Sequence, residues 1–120
     1  MNRHSKTLSH RKLKIGEKIR QLISIILIRE DINFQISKNK VISITDVDIS
    51  PDFKNAKVFV STLNEEDKSN IIDNLNKKKF FFQKKLFKEL NLKFLPNIKF
   101  YSDTSAEYSQ KIDKILNQLN

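Results

Sequence analysis

Side chains that could catalyse a reaction are few and widely separated in this sequence. The two histidines, His4 and His10, are six residues apart in a basic N-terminal segment, and we expect both to be solvated. Asp46 and Asp48 alternate along one predicted strand and could in principle hold Mg²⁺, but no third carboxylate lies nearby in the sequence. The chain has no cysteine, and its single glycine, Gly16, excludes a glycine-rich phosphate loop. The sequence therefore predicts no enzyme, no cofactor and no metal site.

Lysine and arginine offer a different chemistry, the binding of phosphate groups. The 120 residues include 23 basic and 14 acidic side chains, a net charge of +9. Residues 1–20 hold seven basic side chains and one acidic one, and so do residues 77–93, while the rest of the chain sums to −3. Two basic blocks on a mildly acidic remainder are typical of a polyanion-binding surface, although each block could also be a solvated face.

We predict that these two blocks contact the phosphates of a nucleic acid. Only four of the 23 basic residues are arginine, so we expect shape and backbone contacts to dominate over readout of base edges. Phe80, Phe81, Tyr101 and Tyr108 are candidates for stacking on unpaired bases, although packing in or beside the core is the favoured interpretation of each. Phe81 is expected to be the most exposed, because Phe82 continues a buried stripe. The predicted phosphate-binding residues are Arg3, Lys6, Arg11, Lys12, Lys14, Lys77, Lys78, Lys79, Lys84, Lys85 and Lys88.

The first block lies on a predicted arm and a predicted helix. Residues 1–10 contain almost nothing apolar that could fix them to a core, so we expect a basic, flexible arm. From Ile15 to Leu27 the apolar residues recur at helical spacing, which predicts a helix at about residues 11–30. Residues 31–40 are interpreted as a loop.

A hairpin of two strands follows. Residues 41–49 are rich in β-branched side chains, and the change of phase between Ile44 and Val47 predicts a bulge at the two residues between them. Residues 50–52, Ser-Pro-Asp, are typical of a turn. Residues 56–61 alternate between apolar and polar, so the two strands form an antiparallel hairpin.

The second basic block lies on a long helix that is predicted to break. Asn64 is a candidate cap, and apolar residues then recur from Ile71 to Leu90. The periodicity fails where three phenylalanines are consecutive, since three adjacent side chains cannot share one helical face, and a kink near residues 77–80 is expected. A strand is predicted at residues 97–102.

A capping box at residues 104–107 predicts a closing helix, with Ile112, Ile115, Leu116 and Leu119 as its apolar stripe. The predicted order of helix, strand, strand, broken helix, strand and helix is α+β, with the helices on one face of a three-stranded sheet. No apolar run is long enough for a membrane span, so we expect one cytoplasmic domain at residues 11–120.

Two segments resemble the ribosome-binding factor A family of bacterial small-subunit assembly factors. The first is Ile44-Thr-Asp-Val-Asp-Ile-Ser50 running into Asp52-Phe-Lys-Asn-Ala-Lys-Val-Phe-Val-Ser61. The second is Leu90-Asn-Leu-Lys-Phe-Leu-Pro-Asn-Ile-Lys-Phe-Tyr101, followed by Asp103 and Ser105. The two segments are specific together, in this order and at this separation, and the similarity covers nearly the whole length.

The resemblance implies a single type II KH-like domain, with the order α-β-β-α-(kink)-α-β and a C-terminal helix. It implies a non-enzymatic RNA-binding protein that binds the immature small (30S) subunit and its 16S rRNA and assists late maturation, including in the cold. A monomer is expected, with no cofactor, no membrane and no small-molecule substrate. The Ala-x-Gly kink of the family aligns with Lys78-Lys79-Phe80, where neither residue is present. A general nucleic-acid-binding module and a basic protein-interaction domain remain the alternatives.

Overall fold

The computed structural model describes residues 2–30, 42–62, 68–90, 96–104 and 112–118. Its helices and strands are α1 (Asn2–Arg29), β1 (Ile42–Ile49), β2 (Asn55–Thr62), α2 (Lys68–Lys77), α3 (Lys79–Glu89), β3 (Asn97–Ser102) and α4 (112–118). The fold is therefore α+β, as the periodicity predicts. Within the described ranges, none of the helices is long and apolar enough to cross a membrane.

The three strands form one mixed sheet in the order β1-β2-β3. β1 and β2 are antiparallel, whereas β2 and β3 are parallel and are joined through α2 and α3. The register of the hairpin shifts between Ile44 and Asp46, which confirms the predicted bulge. Because the bulge inserts one extra residue, Val47 and Ile49 are buried on the same face as Ile44 despite the change of phase.

The hairpin turn is held by hydrogen bonds within residues 50–55, which confirms the turn at 50–52. The N–H of Phe53 donates to the Ser50 carbonyl at 2.9 Å. Oδ1 of Asp52 accepts from the Ser50 hydroxyl at 2.6 Å and from the N–H of Lys54 at 3.1 Å. These two bonds hold the pKa of the Asp52 carboxyl below its ordinary value. They also stabilise the left-handed conformation of Phe53, whose φ is 60°.

Helices α1, α2 and α3 cover one face of the sheet and bury a single apolar core. α1 contributes Ile19, Ile23 and Leu27, and the rings of Phe82 in α3 and Phe100 in β3 lie 5.2 Å apart at its centre. Burial of this apolar surface is the main favourable term in folding. α1 approaches β1 closely at Gly16, where a Cβ atom would lie 2.9 Å from the Val47 carbonyl oxygen. The one glycine of the chain is therefore explained by helix–strand packing.

The first helix is much longer than its pattern of apolar residues indicates. It begins at Asn2 instead of near residue 11, so the predicted start was wrong. Residues 2–10 contain neither proline nor glycine, and a helix that is already nucleated extends through polar residues at little cost. That residues 1–10 move as a flexible arm in the free protein stays a prediction.

The last helix is confirmed, but its apolar stripe is not part of the core. Ile112, Ile115 and Leu116 are all exposed, with 55% of Ile115 accessible. Spacing predicted correctly that these residues lie on a helix. It does not show whether another part of the molecule covers their side chains. The loop at 31–40, the cap at Asn64 and most of the capping box at 104–107 lie outside the described residues.

Candidate nucleic-acid interface

The helix that carries the second basic block breaks at a single residue, Lys78. Its backbone has φ −95° and ψ 9°, and its N–H is shared between the carbonyls of Asn74 at 3.3 Å and Leu75 at 3.0 Å. Such a shared bond tightens the last turn of α2 and ends it. The kink predicted near residues 77–80 is confirmed, although the Ala-x-Gly sequence implied by the resemblance is absent.

Three lysines and the N-terminus of α3 meet at this break, and we call Lys77, Lys78 and Lys79 the kink lysines. Lys77 is exposed, and Lys78 and Lys79 are half-buried. Lys78 is the N-cap of α3 but provides no side-chain hydrogen bond to the helix. The first N–H groups of a helix lack intrahelical acceptors and carry partial positive charge, so they favour an anion. The break therefore combines ammonium groups and backbone donors suited to a phosphate.

The remaining lysines of the second block differ in their surroundings. Lys84 and Lys88 are exposed on α3. Lys85 Nζ lies 3.1 Å from Glu30 Oε1 at the end of α1, and 5.6 Å from the centre of the Phe81 ring. Because this ammonium group already has a carboxylate partner, Lys85 is a weaker candidate for a phosphate than Lys84 or Lys88.

The three consecutive phenylalanines take three different environments. Phe82 is fully buried, Phe81 is 37% exposed and Phe80 is 72% exposed, so the expectation that Phe81 is the most exposed was wrong. Each residue turns an α-helix by about 100°, which places Phe80 about 200° away from Phe82 and leaves Phe81 at the rim of the core. Lys79 Nζ lies 5.3 Å from the centre of the exposed Phe80 ring. Phe80 is thus an exposed ring beside the kink lysines and a candidate for stacking on a base.

The first basic block lies beside the hairpin turn. The guanidinium carbon of Arg11 is 6.0 Å from the centre of the Phe53 ring, and Lys12 Nζ is 4.0 Å from Asp48 Oδ1. Lys14 is exposed. Arg3 and Lys6 lie on the first turns of α1, where the structure describes the backbone only. Part of this block is therefore paired with the sheet.

The structure does not bring the whole first block and the whole second block together. Lys12 contacts β1, whereas Lys85 contacts Glu30 at the other end of the packed part of α1. Eighteen residues of helix separate Lys12 from Glu30, a rise of about 27 Å. Lys12 and Lys85, one from each block, therefore lie at separate places on the molecule.

A cationic and aromatic cluster outside both blocks was missed. Lys57 and Phe59 of β2 lie beside Lys99 and Tyr101 of β3, on the sheet face opposite the helices. Strand alternation predicts that each pair points outward, and Tyr101 alone was named as a stacking candidate. The parallel alignment of β2 with β3 brings these four side chains together. The local sequence of either strand does not predict that alignment. Tyr108 lies outside the described residues.

Carboxylates of the described residues do not assemble a metal site. No group of three or more histidine, cysteine, aspartate or glutamate side chains lies close enough together to hold an ion within those ranges. Asp46 Oδ1 accepts from the N–H of Val47 at 2.9 Å at the bulge, and Asp48 faces Lys12. One strand carboxylate therefore accepts a backbone hydrogen bond, and the other pairs with a lysine.

Comparison with known proteins gives one consistent result. A family model described as ribosome-binding factor A matches residues 11–116. A ribosome-binding factor A from Pelagibacter ubique is 35% identical over 119 residues, which cover 99% of this chain and 98% of the relative. One from Sinorhizobium medicae is 38% identical over 109 residues, covering 90% of this chain and 81% of the relative.

Solved structures agree with the sequence relatives. The solution structure of a Thermotoga maritima protein, titled as a putative ribosome binding factor A, matches with a TM-score of 0.68 and 26% identity, over 81% of this chain and 91% of that one. The crystal structure of ribosome-binding factor A from Thermus thermophilus supports the fold, with a TM-score of 0.62 and 17% identity over 76% and 94% of the two chains. From the family match and these near full-length relatives, the chain belongs to the ribosome-binding factor A family.

Proposed function

We propose that this chain, as a ribosome-associated factor of ribosome biogenesis, binds the immature small (30S) subunit and its 16S rRNA and assists late maturation of that rRNA. It acts without catalysing a reaction and without a cofactor or small-molecule substrate. We propose further that it works in the cytoplasm as a monomer and is needed most in the cold. Membership of a ribosome-binding family is the observation that carries this proposal.

The break between α2 and α3 supports an RNA partner on physical grounds. The kink lysines neutralise phosphates and release condensed counterions, so affinity falls steeply as salt rises. Backbone N–H groups at the start of α3 add donors that read the position of a phosphate and not the base sequence. This chemistry suits recognition of a folded rRNA by shape.

The basic arm at residues 1–10 belongs to the same proposal. It carries Arg3 and Lys6 and precedes the family match, which starts at residue 11. We propose that this segment, which forms the first turns of α1 in the structure, moves in the free protein and becomes fixed when it contacts RNA. Ordering on binding costs entropy, so electrostatic attraction between the arm and the RNA phosphates must offset that cost.

Sucrose-gradient sedimentation of a cell extract tests the proposal. We expect the protein with free small subunits and their precursors, and little of it with translating ribosomes. Ribonuclease treatment of a pull-down separates the alternatives, since a basic protein-interaction domain would keep its partner after the RNA is digested. Recovery of the protein only in the top fractions at low salt would contradict the proposal.

A further inference from the structure

The sheet face opposite the helices carries an aromatic pair flanked by lysines, and we call Lys57, Phe59, Lys99 and Tyr101 the open-face cluster. Phe59 and Tyr101 are partners in the parallel register, with ring centres 5.9 Å apart and planes tilted by 33°. Lys57 Nζ and Lys99 Nζ lie 5.9 Å and 5.3 Å from the centre of the Tyr101 ring. Both lysines are exposed, and both rings are half-buried.

We propose that the open-face cluster is a second RNA-binding site, which binds an unpaired segment of RNA. An aromatic pair on a sheet offers unpaired bases a stacking surface, and neighbouring ammonium groups hold the phosphates on either side. Bases within a duplex already stack on their neighbours, so they gain nothing from this surface. The kink lysines have the complementary property, because they lie at a helix break and contact phosphates of any RNA.

Charge distribution on this face favours a polyanion along β2 and β3. Lys57 and Lys99 form no salt bridge with any residue that the structure describes. Asp48 is the register partner of Lys57, but its carboxylate is turned towards Lys12 at 4.0 Å. The aromatic pair is thus flanked by two cationic side chains, and the carboxylates of Asp46 and Asp103 lie at its margin.

A cleft beside Phe59 provides a second and independent observation. It has a volume of about 260 Å³ and is lined by Asp46, Phe59, Ser102, Asp103 and Thr104. Asp46 and Phe59 are register partners across the hairpin, so this cleft lies beside the aromatic pair.

The carboxylate of Asp46 adds selectivity to this cleft. Carboxylates accept hydrogen bonds from the exocyclic amino group of cytosine, and uracil has no such donor. We therefore expect oligocytidine to bind the open-face cluster more tightly than oligouridine of the same length.

Tyrosine fluorescence tests the stacking directly. The chain has two tyrosines and no tryptophan, so the Tyr108→Phe variant leaves Tyr101 as its only tyrosine fluorophore. We expect short single-stranded oligocytidine to quench this fluorescence and a blunt RNA duplex of equal length to leave it nearly unchanged. Unquenched fluorescence, while the anisotropy of labelled oligocytidine reports binding, would overturn the open-face site.

Substitutions provide the second arm of the test. Tyr101→Leu should weaken binding of oligocytidine by about 5- to 150-fold and leave duplex binding unchanged, because a base can no longer stack on the tyrosine ring. Tyr101→Phe is the matched control and should bind nearly as well as the wild type. Thermal melting shows whether each variant is folded, and equal affinity of a folded Tyr101→Leu variant for oligocytidine would overturn the inference.

This inference rests on the proposed RNA-binding function, and the two fail in different ways. A wild-type protein that binds neither duplex nor single strand would overturn both. Binding that depends on the kink lysines but not on Tyr101 would overturn the open-face site alone. That last result is also expected if a protein, a second copy of the chain or α4 covers this face instead of RNA.

Discussion

The α2–α3 break and the open face both present lysines, but their neighbours differ. At the break, Lys78 and Lys79 adjoin the N-terminus of a helix, whose backbone donors suit an anion such as phosphate. On the open face, Lys57 and Lys99 flank the ring of Tyr101, which offers a plane for base stacking. We therefore propose that lysines hold phosphates in place on the first surface and favour unpaired RNA on the second.

One core supports both surfaces, and its disruption should have the largest effect. Phe82 of α3 is fully buried against Phe100 of β3. Since α3 begins at the break and β3 carries Tyr101, both surfaces depend on this pair of rings. Phe82→Ala should lower the free energy of unfolding by about 3–5 kcal/mol, measured by urea denaturation. Phe80→Ala is the matched control and should change it little because Phe80 is mostly exposed. Equal effects of the two substitutions would contradict the assignment of Phe82 to the core.

Asn76 provides a more specific link between the two surfaces. Its side-chain oxygen accepts from the N–H of Phe100 at 2.8 Å, and its amide nitrogen donates to the Phe100 carbonyl at 3.1 Å. The amide therefore satisfies the outer edge of β3 as another strand would. Asn76→Ala should cost about 1–3 kcal/mol of stability, because it leaves two backbone groups without that partner.

Hydrogen exchange locates this effect. In the Asn76→Ala variant, the N–H of Phe100 should lose more protection than the change in global stability explains. Amides of the β1–β2 hairpin should lose only as much protection as that change predicts. Asn74→Ala, two residues earlier on the same helix, is the control. Unchanged exchange at Phe100 would show that the edge of β3 is satisfied in another way.

Charge reversal at the break should separate the two surfaces in binding. Lys78→Glu combined with Lys79→Glu should weaken duplex RNA binding and flatten its salt dependence, by roughly one unit of slope for each phosphate that is no longer neutralised. Quenching of Tyr101 by saturating oligocytidine should persist, since the open face is untouched. Asp73→Lys, an exposed reversal on α2, is the control. A folded double variant with unchanged salt dependence would move the phosphate-binding site away from the break.

Removal of residues 1–10 should have the smallest effect on the folded domain. The apolar packing of α1 begins at Ile15, so the melting temperature should change little. RNA affinity should fall, because the deletion removes Arg3 and Lys6 together with their attraction for phosphates. A large decrease in thermal stability would show that this segment packs on the domain.

Local sequence patterns were sufficient for the break and the hairpin. Both features change the periodicity of neighbouring residues, at the three consecutive phenylalanines in the helix and between Ile44 and Val47 in the strand. The bounds of β3 at Asn97–Ser102 were also correct, because Ile98 and Phe100 alternate with polar residues in a short run. Such features depend on side chains that are adjacent in the sequence.

Features that depend on distant parts of the chain could not be predicted. Lys12 pairs with Asp48 and Lys85 pairs with Glu30, so one lysine of each block already has a carboxylate partner. Neither pair is close in the sequence. The open-face cluster requires the parallel alignment of β2 with β3, which are separated by two helices. Net charge identified the second basic block but gave no signal for Lys57 and Lys99, since both lie outside the two blocks.

Ultraviolet cross-linking of the protein to immature small subunits tests the central claim most directly. After digestion of the RNA and the protein, mass spectrometry identifies the peptides that carry a nucleotide. We predict cross-links at the α2–α3 break, around Lys79 and Phe80, and a second set at Tyr101 that disappears in the Tyr101→Leu variant. Cross-links confined to α4, or no cross-linked peptide from a complex that sediments with the subunit, would contradict this account.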